Sequence, residues 1–219
     1  MEFFIDSANL DDLRKANAYG IVDGVTTNPS LIAKEGCEHH ERIRAICDII
    51  DGDVSAEVVA VDAKDIVREG KELAAIHPNV VVKCPLTRDG IIATKELSSE
   101  GIRINVTLCF SSTQALLAAK AGAYLISPFL GRLDDISSDG MELVREIVAI
   151  YENYDYPTKV LAASIRGPLH VKEAALAGAH VCTLPFKVLD QLFKHPLTDS
   201  GLEQFLADYK KTMSDTTAG

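Results

Sequence analysis

Eight short apolar or β-branched runs, each followed by a helix-like stretch, constrain this chain more than any other feature. The runs span 3–6, 24–26, 54–58, 80–84, 102–107, 124–128, 159–162 and 181–184. Several are apolar at consecutive positions, as expected of strands covered on both faces in a parallel sheet. Between them lie one-sided helical stripes, such as Ile66-Val67 with Leu73 and Ile76, or Leu143-Val144 with Ile147-Val148. Gly20, Gly101, Gly122 and Gly178 stand where helix C-termini favour glycine. Eight parallel strands with covering helices close into an α/β fold of (β/α)8 barrel type. The alternative, an open doubly wound sheet, usually has fewer strands and a glycine-rich phosphate loop, and no GxGxxG or Walker sequence is present.

The 219 residues fit one barrel domain, 1–219, with no low-complexity linker to divide it. Beyond the eighth unit, Leu202, Phe205, Leu206, Tyr209 and Met213 fall on one helical face, which predicts an extra C-terminal helix over 198–213. That face covers either its own barrel or a neighbouring subunit. Residues 214–219 read as a frayed terminus.

Lysine and arginine total 22 against 32 acidic residues, a formal charge of −10. Nonspecific attraction to nucleic acid or anionic membrane is therefore not expected, and an anionic substrate would need a local basic pocket. The opening MEFFIDSANL lacks the basic and apolar regions of a secretion signal. The apolar stretch 115–126 is broken by Lys120 and falls short of the roughly 20 residues that span a bilayer. A cytoplasmic location is the expectation. Five cysteines without a CxxC pair suggest reduced thiols. Cys37 with His39 and His40 has no second ligand cluster at suitable spacing, so no metal is expected.

Active sites of such barrels lie at the carboxyl ends of the strands, and polar residues end nearly every run here. Lys83 closes Val80-Val81-Val82-Lys83-Cys84-Pro85. An ammonium within a run covered on both faces must be neutralised, paired or used, and a neutral lysine amine condenses with a carbonyl to form a Schiff base. The plain alternative is a lysine that snorkels to water. Asp6 closes the first run, Thr26-Thr27-Asn28-Pro29 the second and Glu57 the third, while Asn105 and Thr107 belong to the fifth. Ser127, Phe129 and Arg132 follow the sixth, and Ser164 and Arg166 the seventh.

Schiff-base chemistry needs an amine, a carboxylate for proton transfer and a positioned water, parts that Lys83, Asp6 and the pair Glu57/Thr107 can supply. Arg132 and Arg166 with the Ser164 hydroxyl can clamp a phosphate. Each has a structural alternative. Asp6 can cap a helix, Glu57 can simply neutralise Lys83, and Thr107 can be an ordinary strand residue. The arginines can pair with Asp134 or Asp135, Asn28 can shape the turn before Pro29, and Phe129 can be apolar lining.

GVTTNPSLI at 24–32, VVKCPLT at 81–87, NVTLCFS at 105–111, SPFLGRLDD at 127–135 and AASIR at 162–166 together resemble the small, short-chain transaldolases of the transaldolase and fructose-6-phosphate aldolase family. The likeness runs from Met1 to about Met213. It implies a (β/α)8 barrel without metal or organic cofactor, and a pentamer or decamer in which the C-terminal helix reaches a neighbour. Lys83 then matches the Schiff-base lysine and Asp6 the acid/base acting on the donor's C4 hydroxyl. Glu57 and Thr107 match the residues holding the catalytic water. Asn28, Asn105 and Ser127 match those binding donor hydroxyls, with Thr27 and Phe129 also contacting substrate, and Arg132, Ser164 and Arg166 match the phosphate site. The resemblance further implies transfer of a dihydroxyacetone unit between sugar phosphates in the pentose phosphate pathway. The aldolase branch, which releases that unit, carries glutamine at the position of Glu57 and tyrosine at that of Phe129. Cys84, in place of an aliphatic residue, and Arg88-Asp89, in place of a more acidic pair, depart from the family pattern away from the chemistry.

Overall fold

The computed structural model describes residues 1–217, apart from the side chains of residues 212 and 214–217. Its strands are β1 (Glu2–Asp6), β2 (Gly24–Thr26), β3 (Asp53–Glu57), β4 (Val80–Pro85), β5 (Ile104–Cys109), β6 (Leu125–Pro128), β7 (Lys159–Ala162) and β8 (Val181–Leu184). Each pairs in parallel with the next, and β8 pairs with β1, so the sheet is a closed barrel in sequence order. All eight predicted runs are strands. The fifth starts two residues later than expected, because the Ile102 amide bonds back to Leu97 O and so still belongs to the end of the preceding helix.

The helices are α1 (Leu10–Asn17), α2 (Pro29–Lys34), α3 (His39–Cys47), α4 (Ala63–Ala74), α5 (Arg88–Ser99), α6 (Ser112–Ala121), α7 (Leu130–Asp134), α8 (Gly140–Asn153), α9 (Pro168–Leu176), α10 (Phe186–Leu192) and α11 (Pro196–Thr217). Side-chain oxygens of Asn9, Asp62, Thr87 and Ser111 accept from first-turn amides of the helices they open, satisfying donors that the helix itself leaves unpaired. Gly101 and Gly122 take φ of +83° and +89° after α5 and α6, a conformation that a Cβ would strain.

Two apolar layers result. The larger packs the helices against the outer face of the sheet, with Ile5, Val82, Ile104, Ile126 and Val160 among the strand residues. The smaller fills the barrel interior with Phe4, Val81, Leu125, Leu161 and Val181. Gly24 belongs opposite this plug, since a Cβ there would lie 2.7 Å from the Phe4 ring. Successive strand side chains alternate faces, so two residues further along the same strands present Asp6, Lys83, Ser127, Ala163 and Thr183 inward. A polar layer thus rests on an apolar plug at the carboxyl end of the barrel.

Helix α11 begins two residues before the predicted 198–213 and continues through residue 217, where fraying was expected; residues 218–219 lie outside the described chain. Leu202, Phe205, Leu206, Tyr209 and Met213 are all more than half exposed. The expected apolar face therefore does not cap its own barrel. Among the described residues no helix is long and apolar enough to cross a membrane.

Candidate functional site

Lys83 is 5% exposed and its Nζ donates to Glu57 Oε2 at 2.8 Å and to the Thr27 carbonyl at 3.1 Å. Glu57 and Lys83 are register partners on β3 and β4, so the strand pairing itself brings the two charges together. Of the outcomes expected for a lysine in this run, pairing is the one observed. Snorkelling to water is not.

Beside the lysine opens a cavity of about 290 Å³ whose wall includes Asp6, Thr26, Asn28, Ser127, Phe129 and Thr183. It continues into an outer space of about 590 Å³ reached by Glu57, Thr107 and Leu108. Asp6 is not a helix cap, because Asn9 caps α1. Burial pushes the Asp6 carboxyl above its ordinary range, against the hydrogen bond from Thr26 and the charge of Lys83, which both favour the ionised form.

The Thr107 hydroxyl is buried and, among the described residues, has no hydrogen-bond partner. Such a group calls for a partner from outside, and this one sits on the same wall as Glu57 and Lys83. Asn28 caps α2, its Oδ1 accepting from Leu31 N at 2.9 Å, and the residue also lines the cavity.

Three polar residues form a chain behind the wall. Ser127 Oγ donates to Asn105 Oδ1 at 2.7 Å, and Asn105 Nδ2 donates to Ser55 Oγ at 3.1 Å. Ser127 reaches the cavity, whereas Asn105 is fully buried with both ends of its amide engaged. Thr27 is also fully buried, its hydroxyl donating to Ser55 O at 2.8 Å, and it meets the site only through the carbonyl that accepts from Lys83.

At the rim, Phe129 packs edge-on against Phe110 with ring centroids 5.8 Å apart, and the Arg132 guanidinium lies 5.1 Å from the Phe129 ring. Arg166 makes the expected surface pair, 2.6 Å from Asp135. Its backbone amide donates to His170 Nδ1 at 3.2 Å, and His170 Nε2 lies 3.0 Å from Asp134. Ser164 adopts φ of +61°, a strained value for a residue with a Cβ. Gly131 of α7 is close behind: a Cβ there would collide with Ser164 O and lie 2.7 Å from Arg166 Nε. Arg132, Ser164 and Arg166 therefore converge on one side of the mouth.

Sequence reading passed over Thr183 and gave Thr26, named at the end of its run, no role of its own; both face the cavity beside Asp6. The signal was strand parity. Thr183 lies two residues past inward Val181, and Thr26 two past Gly24, while Thr27 is one step out of phase.

Cys37 accepts from Arg42 Nε at 3.1 Å, and among the described residues no three His, Cys, Asp or Glu side chains form a group able to hold a metal ion. Burial pushes the thiols of Cys84, Cys109 and Cys182 up to about 12, so they are poor nucleophiles although Cys84 adjoins Lys83.

The sequence matches the family model described as Transaldolase/Fructose-6-phosphate aldolase over residues 3–218. A probable transaldolase of Desulfatibacillum aliphaticivorans is 58% identical over 212 residues, covering 97% of this chain and 99% of the relative. One from Halalkalibacterium halodurans is 59% identical over 95% of this chain and 99% of the relative. One from Myxococcus xanthus is 59% identical over 96% and 95%.

Proposed function

The chain is an enzyme of the transaldolase/fructose-6-phosphate aldolase family, and from that premise we propose that it is a transaldolase working through a Schiff base on Lys83. The observation that carries this reading is the buried lysine, paired with Glu57, in a cavity that also holds the raised carboxyl of Asp6.

Glu57, 2.8 Å from Nζ, takes the ammonium proton, and the free amine adds to the C2 carbonyl of a ketose phosphate. A water held between Glu57 and the unpartnered Thr107 hydroxyl shuttles protons as the carbinolamine loses water to give the iminium. Ionised Asp6 removes the C4 hydroxyl proton. The C3–C4 bond breaks, its electrons pass to the iminium as an enamine, and an aldose phosphate departs. The enamine then attacks the aldehyde of a second aldose phosphate, Asp6 returns its proton to the new hydroxyl, and water hydrolyses the imine. Ser127, Asn28 and, through Ser127, Asn105 orient donor hydroxyls. Arg132, Ser164 and Arg166 hold the phosphate, which is how a chain of charge −10 accommodates an anion. No metal or organic cofactor is required.

Sedoheptulose 7-phosphate or fructose 6-phosphate serves as donor and glyceraldehyde 3-phosphate or erythrose 4-phosphate as acceptor, reactions of the pentose phosphate pathway. Reduction with borohydride in the presence of fructose 6-phosphate, followed by peptide mass spectrometry, tests the mechanism. A stable adduct on Lys83 is expected, and its absence overturns the reading. Release of dihydroxyacetone by the related aldolases is the second activity of the family. Phe129 speaks against it here, because phenylalanine has no hydroxyl with which to help protonate the enamine. Dihydroxyacetone formed at full rate without erythrose 4-phosphate would reverse the ranking.

The exposed apolar face of α11 supports assembly with further copies of this chain, a pentamer or decamer by family resemblance. Light scattering on the purified protein tests this. Five free thiols suit a reducing cytoplasm.

A further inference from the structure

Resting on the Schiff-base reading, we propose that Thr183 is a positioning residue for Asp6, acting through Thr26 as a two-hydroxyl relay that holds the carboxylate ready as base.

Thr26 Oγ1 lies 2.8 Å from Asp6 Oδ1 and 2.6 Å from Thr183 Oγ1. The three residues come from β2, β1 and β8, strands that are neighbours in the closed barrel, and both threonines are almost wholly buried. Thr26 has one hydroxyl proton for two neighbours. An ionised carboxylate only accepts, so while Asp6 is charged Thr26 donates to it. The second bond is then fixed in direction: Thr183 donates to Thr26. A hydroxyl that is itself accepting is the stronger donor, so Thr183 increases the hold of Thr26 on the carboxylate.

Once Asp6 has taken the C4 hydroxyl proton on Oδ2, Oδ1 remains an acceptor and both hydroxyl bonds keep their direction. The acquired proton therefore stays on the side that faces the substrate, ready to return to the new hydroxyl. No heavy atom moves. The relay also engages Oδ1 and leaves Oδ2 as the oxygen available to substrate.

Burial raises the Asp6 carboxyl, and the Thr26 hydrogen bond is the largest influence opposing it. The charged groups sharing this space are Lys83 of β4, Glu57 of β3, Lys34 of α2, Arg132 of α7 and Arg166 after β7. A change at Thr183 alters none of them.

The test replaces Thr183 with valine, which keeps the shape and removes the hydroxyl, and with serine, which keeps the hydroxyl. For T183V the relay predicts a fall in kcat of about tenfold, below the roughly 10²–10⁴-fold that a proton-transfer group itself contributes, as suits a residue acting through another. The acid limb of the kcat–pH profile moves to higher pH, KM for fructose 6-phosphate stays near that of the parent, and the borohydride-trapped adduct still forms on Lys83. T183S restores both kcat and the limb. An unchanged acid limb in T183V overturns the relay, and so does an equal loss in T183V and T183S, which would mark a packing role. Should T183V be insoluble, T183A is read in the same way, its adduct on Lys83 reporting a folded site. Failure of the parent enzyme to form the adduct would instead strike the Schiff-base reading itself.

Discussion

Glu57 and Lys83 face each other as register partners on β3 and β4, with the carboxylate oxygen 2.8 Å from the lysine nitrogen. Both side chains are largely buried, so each makes the other tolerable in a barrel interior that is otherwise apolar one layer below. The pair stabilises the barrel, and the proposed mechanism gives it a chemical role as well; substitution separates the two.

Lys83→Met removes the nucleophile and leaves Glu57 buried without its cation. Turnover falls by a factor on the order of 10³ or more, and no reduced adduct forms. Stability measured by urea unfolding falls by somewhat less than the roughly 3–5 kcal/mol typical of breaking a fully buried pair, since Glu57 retains some access to water. Adding Glu57→Gln to Lys83→Met regains most of that stability without regaining activity. Wild-type turnover in Lys83→Met would leave the site without its nucleophile.

Asp6 carries a penalty of a different sign. Its carboxyl is raised above the ordinary 3.8 chiefly by burial, so the folded protein holds this proton more tightly than the unfolded chain. Below pH 3.8 both states are protonated and the group is neutral in its effect. As pH climbs from 3.8 through the raised folded value, ionisation progressively opposes folding, and above that window the opposition is complete. Asp6→Asn is therefore inactive yet more stable than the parent at pH 7, with the gain shrinking toward pH 4. Urea midpoints at the two pH values check this, and a variant less stable than the parent at pH 7 contradicts it.

The contrast between Asp6 and Thr183 shows what the chain discloses before folding. Asp6, Glu57 and Lys83 are charges at the ends of apolar runs, and burying a charge is conspicuous in any strand pattern. Thr26 and Thr183 are β-branched residues that any strand welcomes, so only the inward parity of Gly24 and Val181 marks them as belonging to the site. Thr27 and Asn105 show the converse: their polar groups suggest contact with substrate, but Ser55 engages both from behind. The barrel was legible from eight runs and their glycine stops. The reach of α11 was not, because an amphipathic helix announces its apolar face and not the surface that receives it.

Asp135 pairs with Arg166 through an exposed ion pair. If Arg166 binds the substrate phosphate as proposed, the phosphate must share or displace that carboxylate. Asp135→Asn frees the guanidinium, and KM for a phosphorylated donor falls roughly twofold to fivefold, the scale of an exposed pair. The difference fades in high salt, where the pair in the parent is screened. Steady-state kinetics at low and high ionic strength decide the matter; a higher KM in the variant would mean that Asp135 positions Arg166 for phosphate instead of competing with it.

Gly131 sets how closely α7 approaches the segment after β7. A methyl group there would collide with the Ser164 carbonyl and press on the Arg166 side chain, and Ser164 yields least easily because its backbone is already held at positive φ. The backbone after Ala163 must shift outward, taking the Ser164 hydroxyl and Arg166 out of register with Arg132. Gly131→Ala is expected to raise KM for fructose 6-phosphate about tenfold, the worth of one charge-assisted hydrogen bond of roughly 1.5 kcal/mol. An unphosphorylated ketose donor, which makes no use of that clamp, should react at the parent rate, because Lys83 and Asp6 stand on β4 and β1 and not on β6 or β7, the strands that flank α7 and Ser164. Equal losses on both donors would show that the methyl group disturbs the whole mouth, and the phosphate assignment of Ser164 and Arg166 would lose its support.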